Sequence, residues 1–274
     1  MVPPIANIHF FPSAVDSLIE VFANPHLIQA DQLDKAKSIL RILVIDNYPD
    51  CPIGLVGDAL IEAGAIIDRR HPYLGELLPV DAGNHDGLII LGGPQNALAD
   101  AEYPYLKPLC DLSLDFTRAD KAVLGICLGS QLLARAHGAT NIIGRPIEFG
   151  WQDVATLEAG KSDPMMSELG AAAPMFHWHN DTVTLPPAAT HLASSAMTPV
   201  QAWRVGRATY GVQFHFEAST AVVEQWSTSH FVPAMATYHE GWEKERHQLA
   251  ETLGAKADTV GIALARQWVG LVIR

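Results

Sequence analysis

Cysteine is scarce in this chain, with 3 in 274 residues. A small, odd number supplies no disulfide framework, so the fold must be held by its core. Basic residues are also few: 18 Lys and Arg face 30 Asp and Glu, for a formal net charge of −12. Without a Lys/Arg cluster the chain lacks the electrostatic footprint of a nucleic-acid binder. No apolar run is long enough to span a bilayer, which argues against a membrane protein. The start, Met1-Val2-Pro3-Pro4-Ile5, has neither the basic opening nor the apolar stretch of a secretion signal. The cytoplasm, where thiols stay reduced, is the expected compartment. No Gly-Lys-Ser/Thr accompanies Gly92-Gly93, so these glycines do not form a phosphate loop.

What is present is a large apolar fraction, 49% of residues, enough for one sizeable α/β domain with appendages. The most informative stretch runs from Ala122 to Gln131. A short apolar strand ends in Gly125-Ile126-Cys127-Leu128-Gly129, and a helical segment, 130–136, follows at once. A sharp strand-to-helix turn of this kind lifts its middle residue out of the sheet, with glycines where side chains would clash. Cys127 then sits at a helix N-terminus, where the macrodipole favours a thiolate. The plain alternative is a buried Cys closing a core strand.

Far downstream, 210–217 reads as a strand ending in His215-Phe216-Glu217. Strand side chains alternate, so His215 and Glu217 share a face. A His oriented by a carboxylate is what a thiol nucleophile needs; alone, the pair reads more readily as a sheet-end His beside a solvated Glu, and the Cys127 turn is what tips the balance. Asp86 to Pro94 is an apolar strand entering Gly92-Gly93-Pro94, a turn able to aim backbone N–H groups at an oxyanion. By itself it is also an ordinary turn.

Together and in this order the three segments resemble a class I (triad-type) glutamine amidotransferase, most closely stand-alone domains similar to the glutaminase half of GMP synthase. The likeness covers roughly 41–226. It implies Cys127 as nucleophile, His215 as base and Glu217 as its orienting carboxylate. It implies an oxyanion hole from the N–H groups of Gly93 and Leu128, and a glutamine contact from Gln131. The stretch His177-Trp178-His179-Asn180-Asp181 matches a loop that holds the amino-acid end of glutamine, which assigns His179, Asn180 and Asp181 to the substrate. Glu148-Phe149-Gly150-Trp151 also fits. Phe216 stands where many members have Pro, and Gln95 where many have an acidic residue. In this reading both shape the mouth of the site, as does Trp151. No Ser-Gly-Gly-x-Asp pyrophosphatase signature occurs, so a synthase that uses the ammonia would be a separate chain.

The expected fold is α/β, a mainly parallel twisted sheet with helices on both faces (flavodoxin-like) and a small antiparallel subsheet after residue 144. Its strands are 41–46, 65–69, 88–91 and 123–126, with helices at 54–64 and 105–118. Residues 1–40 are read as a helical extension with helices at 13–23 and 31–40, 41–230 as the amidotransferase-like domain, and 231–274 as a C-terminal helical extension packed on it. The apolar end of that tail (Ile262, Leu264, Trp268, Val269, Leu271, Val272) must cover the domain or another subunit, the latter giving a homo-oligomer. His177 and His179 could offer two metal ligands at period-2 spacing. Local spacing places no third, and His191 lies apart, so neither metal nor cofactor is expected. Cys51 and Cys110 are read as incidental, Cys51 being the one open to reaction.

The expected chemistry is hydrolysis of a γ-glutamyl amide through a Cys127 thioester. Either glutamine is the substrate, with ammonia passing to a separate synthase, or a γ-glutamyl peptide is. A non-catalytic protein or a thiol-redox protein of the same fold is the remaining alternative.

Overall fold

The computed structural model describes residues 39–273. The four leading strands are Arg41–Ile45 (β1), Ile66–Arg70 (β2), Gly87–Ile90 (β3) and Ala122–Ile126 (β4). They are followed by Asn141–Ile142 (β5), Glu148–Thr156 (β6), Ala172–His179 (β7), Thr182–Val183 (β8), Thr190–Ser194 (β9), Ala202–Val205 (β10) and Thr209–Val212 (β11). Nine of these form one sheet in the order β2-β1-β3-β4-β11-β10-β9-β6-β7. From β2 to β11 all neighbours are parallel; from β11 to β7 all are antiparallel. The antiparallel strands thus extend the main sheet, while β5 and β8 pair separately.

The parallel half is buried on both faces, as its unbroken apolar strands require. In β1, Ile42 and Val44 join a cluster with Val56, Leu60, Leu264 and Trp268. Leu43 and Ile45 point the other way, toward Leu106, Leu109, Phe116 and Leu132. The first cluster draws on helices Gly54–Glu62 (α1) and, at the C-terminus, Ala255–Val272. The second draws on Leu106–Arg118 (α2) and Leu128–Ala136 (α3). Beyond α1, Gly64 takes φ +70° and Ala65 N–H donates to Leu60 O at 3.0 Å, a left-handed stop that favours glycine.

Helices Thr220–Ser227 (α4), Val232–Tyr238 (α5) and Trp242–Leu249 (α6) lead through a π turn, Ala250–Gly254, into Ala255–Val272 (α7). Ser219 caps α4, its Oγ accepting the Val222 N–H. The apolar residues of α7 close the sheet: Leu264 and Trp268 are fully buried, and Val269 and Leu271 nearly so. Leu40–Arg274 cluster as one compact unit.

One expectation needs amendment. The strand expected at 210–217 stops at Val212. Residues 213–217 leave the ladder and keep a single bridge, His215 N–H to Phe176 O at 2.8 Å. Helix α5 is an element that the sequence pattern did not single out, although Pro233 in its first turn is a start signal. The N-terminal helices expected at 13–23 and 31–40 lie outside the described residues, save for Ile39 and Leu40, which are not helical.

Trp268→Ala is expected to lower stability by about 3–5 kcal/mol, because a fully buried indole leaves a cavity between α7 and the sheet. Leu77→Ala, at a residue 84% exposed, is expected to change it by less than about 0.5 kcal/mol. Equilibrium urea unfolding of the two variants beside the parent checks both.

Candidate active site

Cys127 lies between β4 and α3 with φ +52° and ψ −110°, a conformation rare for a residue that carries a Cβ. Such backbone costs about 1–3 kcal/mol and persists only where the surroundings impose it. Here they do. A Cβ on Gly125 would stand 2.6 Å from the Gly129 carbonyl carbon, and one on Gly129 would overlap the Ile90 carbonyl oxygen. Both glycines let the start of α3 settle against β3 and β4. The Cys127 N–H donates to Val212 O at 2.8 Å, which ties the turn to β11.

His215 sits just beyond β11, and its Nδ1 meets Glu217 Oε1 at 2.7 Å. The segment is clamped from two sides. A Cβ on Gly54, at the start of α1, would overlap the Glu217 carbonyl oxygen, and one on Gly261 of α7 would overlap that of Phe216. Leu55 N–H also donates to Glu217 O at 2.9 Å. A Cβ on Gly92 would stand 3.2 Å from His215 Cε1 and 3.5 Å from Cys127 Cβ, so the Cys127 Cβ and the ring flank one side of that glycine. Burial works against a charged His215. The Glu217 carboxylate and Cys127, by charge and hydrogen bond, outweigh it and raise the imidazole from 6.5 to about 10. The ring of Trp226 stands edge-on to His215 with centroids 5.8 Å apart.

Cys127 and His215 open into a cavity of about 330 Å³, which Gly93, Gln95, Gln131, His179, Asn180 and Asp181 also line. Gly93 has no room for a side chain: a Cβ would overlap Gln95 Oε1 and stand 2.9 Å from Asn47 Cβ and 3.2 Å from Leu128 Cδ2. Leu128 opens α3, so its N–H has no intrahelical acceptor.

The four residues expected to hold substrate are brought together, but two are already occupied. Gln131 spends its amide N–H₂ on Asp181 O and Gln213 Oε1, both at 3.2 Å. His179 places Nδ1 3.0 Å from Asp181 O and Nε2 3.1 Å from Glu148 Oε2. Both ring nitrogens thus face groups of the protein wall, and neither is left for a substrate. His179 positions Asp181, whose Oδ1 also accepts the Gly144 N–H at 2.7 Å.

Glu148 is the buried anchor of this side of the site. Oε1 accepts from Ser195 Oγ at 2.5 Å, and Oε2 accepts from Thr198 Oγ1 and Gln201 Nε2, both at 2.7 Å. Burial raises its pKa, but the His179 hydrogen bond, the nearby His177 and the two hydroxyls together hold it down at about 2. Sequence spacing offered no third partner for His177 and His179. The β6–β7 register supplies one, pairing Glu148 with His179, and the three buried groups converge. The carboxylate is already hydrogen-bonded by Ser195, Thr198 and Gln201, while neither ring nitrogen of His177 has a hydrogen-bond partner among the described residues.

Other sequence readings are revised. Trp151 and Phe216 do not border the cavity. Each is buried, Trp151 against Phe176 and Trp242, Phe216 beside Phe214. Only Gln95 of the three lines the site. Cys51 lines it too, and burial with the nearby charges of Glu217 and Cys127 pushes its thiol far up, which favours the protonated form. The cavity wall also holds residues that sequence reasoning missed: Tyr48, Asp50, Trp178, Trp226, Phe231 and Tyr238. The spacing of Phe231, Ala234 and Tyr238 on one helical face was the available signal.

The family model for class-I glutamine amidotransferases matches residues 59–231, and the chain belongs to that family. A glutamine amidotransferase-like protein of Salmonella typhimurium, YfeJ, is 36% identical over 166 residues, covering 60% of this chain and 70% of that protein. A component of the glutamine-hydrolysing GMP synthase of Methanosarcina barkeri is 31% identical over 185 residues, 66% of this chain and 88% of its own. Gamma-glutamyl peptidase 3 of Arabidopsis thaliana is 29% identical over 165 residues, 58% and 63% respectively. The crystal structure of a glutamine amidotransferase from Thermotoga maritima superimposes with a TM-score of 0.74 at 26% identity, over 86% of this chain and 99% of that one. Among the described residues no helix is long and apolar enough to cross a membrane.

Glu148 is more acidic in the folded chain than its ordinary value of 4.5. Its stabilising contribution is therefore complete above pH 4.5 and is lost as pH falls toward about 2. Glu148→Gln is expected to be less stable than the parent at pH 7 by roughly 3 kcal/mol, the cost of breaking a buried pair. The difference should shrink between pH 4.5 and about 2, as chemical denaturation across that range would show.

Proposed function

We propose that the protein hydrolyses a γ-glutamyl amide through a thioester on Cys127, with His215 and Glu217 completing a triad. The observation that supports this reading is the convergence of all three: Cys127 and His215 in one cavity, and Glu217 at 2.7 Å from the far nitrogen of the imidazole. The sulfur attacks the γ-carbonyl carbon. The N–H groups of Gly93 and Leu128 take the oxyanion. His215 holds a proton at neutral pH and gives it to the departing nitrogen. It then takes a proton from water, which attacks the thioester carbon and releases glutamate and the free thiol. Gln131, Asn180 and Asp181 face the glutamyl end, Gln131 through its carbonyl oxygen. With glutamine as substrate the product is ammonia, and a separate synthase is its recipient.

Cys127→Ala is expected to abolish turnover with the fold intact. His215→Ala should cost on the order of 10²–10⁴ in kcat, and Gly93→Ala on the order of 10² or more by disturbing the oxyanion donor. Steady-state kinetics with circular dichroism checks the set. A glutamine-shaped chloroketone should add once, at Cys127, and glutamine should suppress the adduct. An unlabelled Cys127 in folded protein that still reacts with iodoacetamide would overturn the glutamyl site.

Because His215 is raised to about 10, the proton needed by the leaving group persists through neutral pH. The rate is expected to fall only as pH approaches about 10, seen as the alkaline limb of the kcat/KM profile, which reports the free enzyme.

A further inference from the structure

The family match ends at residue 231, and α5 begins at the next residue. Phe231, Ala234 and Tyr238, at i, i+3 and i+7, all border the cavity that holds Cys127 and His215. A segment beyond the matched region therefore builds part of the site's wall.

That wall is aromatic and firmly seated. Met235 of α5 is buried in a cluster with Phe149, Trp226 and Trp242. The Tyr238 ring lies 5.7 Å from that of Phe149. Phe231 stands edge-on to Trp178 at 5.3 Å and meets Tyr48 at 5.8 Å. Trp226 stands against His215, Trp178 against Trp226 at 5.8 Å and Phe231 against Trp178, so a run of rings leads away from the imidazole within the cavity that Tyr238, Gln131, Asn180 and Asp181 also line.

The chemistry of the proposed reaction says which side is which. His215 must stand next to the nitrogen that it protonates, so the wall beside it receives the leaving group. The NH₂ of glutamine carries nothing for an aromatic wall to touch. Apolar lining contributes to binding only when the ligand brings apolar surface to it.

We propose that the leaving-group side of this site, built by α5 with Tyr48, Trp178 and Trp226, selects γ-glutamyl amides of aromatic amines over glutamine. This deepens the reading of the site as a γ-glutamyl amide hydrolase and rests on it. The Cys127 sulfur forms the thioester as the C–N bond breaks, and the amine leaves with the His215 proton. Water then cleaves the thioester, so amide and water yield glutamate and the aromatic amine with no further reactant.

The test compares γ-glutamyl-benzylamide with γ-glutamyl-methylamide, whose leaving amines differ in bulk and aromaticity, with glutamine as the third substrate. The benzylamide is expected to exceed the methylamide in kcat/KM by about tenfold or more. Phe231→Ala and Tyr238→Ala should each pull that ratio down severalfold. Ala234→Trp, at an exposed position of α5 where folding is not at stake, should do the same by filling the wall. A parent ratio near one, with glutamine or the methylamide turned over, overturns the proposal and leaves the hydrolase reading standing. So does a high ratio that none of the three variants lowers. No turnover of any of the three amides, with Cys127 unlabelled by the chloroketone, overturns both.

Discussion

Cys127 holds a φ of +52° that an L-residue rarely adopts, and much of the molecule is arranged to keep it there. β4 must end where α3 begins, so Gly125 and Gly129 meet without side chains between them. α3 must lie so close to β3 that Gly129 touches the Ile90 carbonyl. β11 must run parallel beside β4 so that Val212 O can accept the Cys127 N–H. That same pairing brings the chain after β11 to the elbow, and His215 with it. One strained turn thus sets the sheet order at its centre, and the order brings His215 to the same cavity.

Charge is managed by burial in pairs. The chain is acidic overall, yet several of its carboxylates are inside, each with donors around it. Glu148 accepts from two hydroxyls, an amide and a histidine, and Glu217 holds His215. Asp163 accepts from Tyr210, Arg204 and two backbone N–H groups. An unpaired carboxylate in these places would cost several kcal/mol in desolvation. Pairing turns the same groups into fixed anchors for the walls of the site. His179 shows the consequence. It borders the cavity, but both its nitrogens are committed to the wall, so its part is to hold Asp181 in place.

The C-terminal helices serve the site as well as the core. α7 covers the sheet with Trp268 and, through Gly261, presses on the loop that carries His215 and Glu217. α5 adds aromatic rings to the cavity. In sequence this region reads as an amphipathic tail, because periodicity reports which face is apolar and not what that face will meet. Phe216 and Trp151 were misplaced for the related reason that a position next to a functional residue says nothing of side-chain direction once the ladder has ended. With residues 213–217 outside the strand pattern, Phe216 turns into the core instead of toward the mouth.

The sequence by itself determined the parallel β-α units, the elbow glycines, the family and the three groups that meet at the site. Each of these is written in short-range rules: alternation along a strand, a glycine where a side chain would collide, a His and Glu two residues apart. Tertiary structure alone decided that Glu148 would stand opposite His179, that the Cys51 thiol would be pushed up by burial, and that Phe231 and Tyr238 would line the cavity of Cys127. Those outcomes depend on strand register and helix docking between distant segments. No local pattern encodes them, because the energy that selects them is the burial and pairing of groups that meet only in the folded chain.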